Sequence, residues 1–106
     1  MVLEVYPPPD NKRQIVTESP DEKSIASTIR NQPWQGITFA VLRIDKENWF
    51  EISGSLKSED GLSASYAENG KEFVSTRPPK SLAEATALML SYHRGDGRWR
   101  KDIGWK

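Results

Sequence analysis

Asn69-Gly70 is the feature that most narrows what this chain can fold into. A two-residue type I′ turn needs positive φ at both central residues, which this pair tolerates better than almost any other. On its N-terminal side Leu62, Ala64 and Tyr66 alternate with Ser63, Ser65 and Ala67, and Glu72 to Thr76 return on the other side, so the pair closes a β-hairpin. Further upstream, Ile37, Phe39, Val41 and Arg43 alternate with Thr38, Ala40, Leu42 and Ile44. A strand that is apolar on both faces over much of its length belongs in the centre of a sheet. Asp45-Lys-Glu-Asn48 turns the chain, and Trp49 to Ser55 returns with Phe50 and Ile52 on one face and Trp49, Glu51 and Ser53 on the other. Residues 37–76 therefore predict a three- or four-stranded antiparallel meander.

Helices flank the meander. Ser19-Pro20-Asp21-Glu22 predicts a helix start, with Ser19 as cap, Pro20 in the first helical position and Glu22 completing a capping box. That helix runs to about Asn31, buries Ile25 and Ile29, and is stopped by Pro33. Ser81-Leu-Ala-Glu84 is a second capping box; Leu82, Ala85, Leu88, Met89 and Tyr92 follow at helical spacing, and Gly95 caps the end. Val2 to Tyr6 and Gln14 to Thr17 read as short strands, the first ended by Pro7-Pro-Pro9. Ile103 to Trp105 reads as a terminal strand. The expected fold is α+β: an antiparallel meander sheet of four to six strands with two helices packed against it.

A chain of 106 residues fits one domain, spanning 1–106. With no cysteine, disulfides, thiolate-bound zinc and thiol nucleophiles are excluded. No signal-peptide pattern opens the sequence, and no apolar run approaches the ~20 residues of a membrane span, so the expectation is a soluble, cytoplasmic protein. Fifteen basic and 15 acidic residues cancel, which argues against general nucleic-acid binding. The balance is uneven: residues 1–60 hold seven basic and ten acidic groups, residues 61–106 eight and five.

No catalytic or cofactor-binding constellation emerges. His93 stands alone, without ligand partners for a transition metal. No serine sits in a nucleophile-elbow pattern. Gly95-Asp-Gly97 follows a helix instead of opening one and lacks the lysine–hydroxyl pair of a phosphate loop. Arg98-Trp99-Arg100-Lys101 has cations flanking an aromatic, as in single-strand nucleic-acid binders, or else anchors the tail through Trp99. Four tryptophans are many for this length. Trp34, behind Pro33, reads either as an exposed contact aromatic or as a plug for the end of the core.

From Ile37 onward the chain resembles small bacterial immunity proteins, and most nearly the immunity-protein-one family that accompanies deaminase toxins. The likeness rests on Trp49-Phe-Glu-Ile-Ser-Gly54, on Gly61-Leu62 leading into Asn69-Gly70, on Arg77-Pro-Pro-Lys-Ser-Leu-Ala-Glu84, and on Tyr92-His-Arg-Gly95 before Ile103-Gly-Trp105. It covers about two-thirds of the chain and consists of scaffold residues. The resemblance implies a non-enzymatic protein, without cofactor, that blocks a cognate toxin by steric occlusion. Contacts are expected in loops that flank the sheet and mix charge with an aromatic: Trp34 and Gln35, Asp45, Lys46, Glu47 and Asn48, and Glu59 and Asp60 in the Lys57 to Asp60 loop. The alternative is a nucleic-acid-binding module using Arg98 to Lys101.

Overall fold

The computed structural model describes residues 1–59 and 61–106. In chain order its elements are β1 (Val2–Tyr6), β2 (Gln14–Thr17), α1 (Glu22–Asn31), β3 (Thr38–Asp45), β4 (Asn48–Gly54), β5 (Leu62–Glu68), β6 (Lys71–Val74), α2 (Leu82–Arg94) and α3 (Arg98–Asp102). The strands form one antiparallel sheet in the order β2-β1-β3-β4-β5-β6. The architecture is α+β, with three helices packed on the sheet.

The meander follows its turn chemistry. Asn69 and Gly70 both adopt positive φ (53° and 80°), closing the β5–β6 hairpin. Asp45 accepts hydrogen bonds from the Glu47 amide and the Asn48 side chain at the β3–β4 turn. The two turns are tied together: Gly70 N–H donates to the Glu47 carbonyl and Asn69 N–H to Asn48 Oδ1.

Period-two alternation sends Leu3, Val5, Ala40, Leu42, Phe50, Ile52, Leu62, Ala64 and Tyr66 to one face, where they form a single core with Ile25, Ile29, Ala85, Leu88, Met89 and Trp99 from the helices. Each Val, Leu, Ile, Phe or Met side chain buried there contributes about 1.5–3 kcal/mol. α2 begins at the expected cap, with Ser81 Oγ accepting from Glu84 N–H, and ends on Gly95 at φ 72°. The expected box does not close, because the Glu84 carboxylate accepts from the Lys80 amide and Arg77. α1 starts later than expected. Asp21, not Ser19, is its cap, and the box closes on Ser24 instead of Glu22, each side chain accepting from the other residue's amide. A carboxylate at the cap also suits the positive end of the helix dipole.

The C-terminal tail departs further from expectation. Residues 98–102 form a short helix, and the strand expected at Ile103 to Trp105 is reduced to one bridge, Ser75 with Trp105. The cause is a ring cluster: Trp99 lies 4.7 Å from Tyr66, 5.4 Å from Tyr92, 5.6 Å from Phe50 and 5.7 Å from Trp105, all near edge-to-face. Such contacts add about 0.5–1.5 kcal/mol each beyond area burial. A tail aimed at that cluster turns helical to bring Trp99 inward. Past it, Lys106 and Val74 exchange amide–carbonyl bonds, so the tail also shields the β6 edge.

Candidate functional site: the uncovered face of the sheet

All the helical core residues sit on one side of the sheet. The opposite side is carried by Val2, Glu4 and Tyr6 of β1, Phe39, Val41 and Arg43 of β3, Trp49, Glu51 and Ser53 of β4, and Ser63, Ser65 and Ala67 of β5. None of the three helices packs there. Five inter-strand spacings of about 4.8 Å and seven-residue strands make a platform roughly 24 Å wide and 20 Å long.

This face is built unevenly. Its β1–β3 half is bulky, with Tyr6 edge-on to Phe39 at 6.2 Å and Trp49 paired across from Arg43. Its β5 side carries the small side chains of Ser63, Ser65 and Ala67, of which the two serines are partly exposed and Ala67 is buried. The face holds two carboxylates in contrasting surroundings, Glu4 on β1 and Glu51 on β4. Glu4 is fully buried, its carboxylate accepting from Arg13 Nε (2.6 Å) and Arg43 Nε (3.1 Å). Burial pushes its pKa up, but the two guanidiniums overcome this, and the net shift is downward. Glu51 is half-buried and accepts from Ser65 Oγ (3.3 Å). Burial dominates there, and its pKa is raised, with Glu72 adding to the effect and Arg43 opposing it.

The loops expected to make contacts flank this platform in two groups. At one end, Asp45, Lys46 and Glu47 are exposed and Asn48 is half-buried beside Trp49. At the other end, the Gln35 carbonyl accepts from Ser55 Oγ (3.0 Å), and Leu56 N–H donates to the Trp34 carbonyl (2.8 Å), joining the Gln35 loop to the loop that carries Glu59. Gln35 and Glu59 are exposed. Asp60 lies outside the described residues. The eight-residue β3 separates the groups by about 23 Å, so they meet only through the sheet face between them.

Of its two expected roles Trp34 takes the plug at the end of the core, which corrects its placing among the expected contact residues. It is 3% exposed, packs in the core, and donates its indole N–H to the Ile29 carbonyl at 2.6 Å, satisfying an end carbonyl of α1. In the Arg98–Lys101 segment the anchoring role of Trp99 is the one realised, and an open stacking platform is not. Trp99 is 4% exposed, and the Arg100 guanidinium covers it, 4.5 Å from the ring centroid, while pairing with Glu68. Arg98, Arg100 and Lys101 remain at the surface without an open ring between them.

Next to the β3–β4 turn, a pocket of about 270 Å³ is lined by Asn48, Tyr66, Glu68, Tyr92, Trp99 and Arg100 among others. Burial raises the Tyr92 pKa, and the Glu68 and Asp45 carboxylates add to it. His93 is structural: its Nε2 lies 2.9 Å from the Pro20 carbonyl, joining α2 to the entry of α1. Among the described residues, no group of three or more His, Asp or Glu is placed to hold a metal. No helix there is long and apolar enough to cross a membrane.

Comparison with known families, curated proteins and solved structures finds no match. Sequence reasoning missed the platform because Glu4, Arg13 and Arg43 are 9 and 39 residues apart along the chain. The available signal was the polar alternation of Trp49, Glu51 and Ser53, which marks a face turned away from the core.

Proposed function

We propose that this domain is a cytoplasmic immunity protein that binds a cognate bacterial toxin domain, with a deaminase as the first candidate, and neutralises it by steric occlusion. The observation that carries the reading is the uncovered sheet face, which sets three half-buried aromatics (Tyr6, Phe39 and Trp49) among fixed charges and is flanked at both ends by the mixed-charge loops. Aromatic and arginine side chains are the residues most enriched where protein interfaces concentrate their affinity. The platform, roughly 24 by 20 Å, supplies more than half of the ~800 Å² that one partner contributes to a standard interface, and the flanking loops add to it.

In this arrangement the sheet face supplies the anchors, with Gln35, Lys46 and Asn48 on the rim and Asp45, Glu47 and Glu59 steering the approach. Asp45 stays charged because two donors from its own turn hold its pKa down. Such rim charges act mainly on the association rate. Trp34 belongs to the scaffold.

The test is direct binding to the product of a toxin gene adjacent to this one. Nanomolar affinity, about −12 kcal/mol, is expected. Trp49→Ala should speed dissociation with little change in melting temperature, since its ring packs outside the core. A toxin that keeps full activity in excess protein and forms no complex on a sizing column would falsify the reading for that pair.

A further inference from the structure

Glu4 and Glu51 on the open face show what a partner must bring. Glu4 is already neutralised by Arg13 and Arg43. Glu51, two strands away on the same face, has one neutral donor among the described residues, Ser65 Oγ, and feels the Arg43 guanidinium only through space, since the Arg43 Nε donates to Glu4. Its cross-strand neighbours are Val41 and Ser65, and Trp49 precedes it by two residues on the same side. Glu72 stands beyond Ala67 and adds a second negative charge. Covering this face without supplying a cation would strip water from a carboxylate that burial already disfavours, which is costly unless it is paired.

The geometry points to a basic side chain of the partner, an arginine by preference, seated over β5 between Glu51 and Glu72 with its plane against Trp49. Ser63 and Ser65 on β5 are short and partly exposed, and a planar guanidinium can pair bidentately with a carboxylate while stacking flat on an indole, a geometry that an ammonium lacks. This inference rests on the proposed binding face and names the chemistry that the face selects.

Two measurements test it. In the first, Glu51→Gln is compared with the native protein for toxin binding and melting temperature. Loss of a desolvated charge partner should weaken binding by about 30-fold or more. The melting temperature should hold or rise, because glutamine avoids the burial penalty. Equal binding by Glu51→Gln and the native protein would overturn the inference and leave the proposed function standing. In the second, acetyl-Arg-Arg-Arg-amide and acetyl-Glu-Glu-Glu-amide are titrated against the protein while the Trp49 indole and Glu51 amide NMR signals are followed. The arginine peptide should shift both signals saturably in the native protein and not in Glu51→Gln, and the glutamate peptide should shift neither. Absence of any arginine-dependent shift would overturn the inference even if the toxin binds. A peptide response without toxin binding would keep the face's cation preference and sink the immunity reading.

Discussion

Replacing Trp34 separates a core role from a contact role. The indole is 3% exposed within the main core, and its N–H reaches the Ile29 carbonyl at 2.6 Å. Removing a buried tryptophan ring costs about 3–5 kcal/mol, since transfer free energy is lost and a cavity remains. With total stability of about 5–15 kcal/mol for a domain of this kind, Trp34→Ala should leave the protein marginally folded. At about 4 °C or more per kcal/mol, the melting temperature should fall by about 12 °C or more. Trp34→Phe isolates the hydrogen bond. It keeps most of the apolar volume, and the Ile29 carbonyl retains a longer bond from the Gln32 amide at 3.4 Å, so the cost of the lost donor should be near 1 kcal/mol. Urea denaturation of the three proteins, followed by circular dichroism, measures the series. Toxin dissociation rates, taken where every variant is folded, should be unchanged. An unaltered midpoint for Trp34→Ala, or faster dissociation with native stability, would show that the ring acts at an interface and that its burial contributes little.

Gly70→Val should destabilise the fold by about 1–2 kcal/mol, because a β-branched residue at φ 80° is sterically strained; an unchanged urea midpoint would refute the turn assignment. Acid stability should depend on Glu84, whose pKa is held at about 2, below its ordinary 4.5, first by the bidentate Arg77 guanidinium at 2.9 and 2.7 Å. A depressed folded-state pKa contributes stability that is present above the unfolded value and is lost as pH falls from about 4.5 through about 2. Glu84→Gln should therefore flatten melting temperature against pH within that window, and a curve matching the native slope would count against the pair.

What could be read locally was read from short-range physics. The Asn69-Gly70 hairpin, the Ser81 cap, the α2 stripe and the alternation of β3 and β4 each depend on residues within a few positions of one another, so sequence by itself determined them. The Asp21 cap was missed by two residues, since Ser19 and Asp21 are both good caps and the choice depends on where α1 must sit to bury Ile25 and Ile29. Other features belong to the tertiary structure alone. Trp34 became core because α1, β3 and the loop after β4 converge on it. The tail became helical because Trp99 found a cluster assembled from β4, β5 and α2. Glu4 became a buried, doubly paired carboxylate because β1 inserts between β2 and β3, a pairing set by register across distant segments. Alternation along a strand tells that one side faces a core, but which side stays bare is decided by where the helices land. Here they all land on one side, and Glu51 is left on the bare face, where Arg43 acts on it while bonding Glu4.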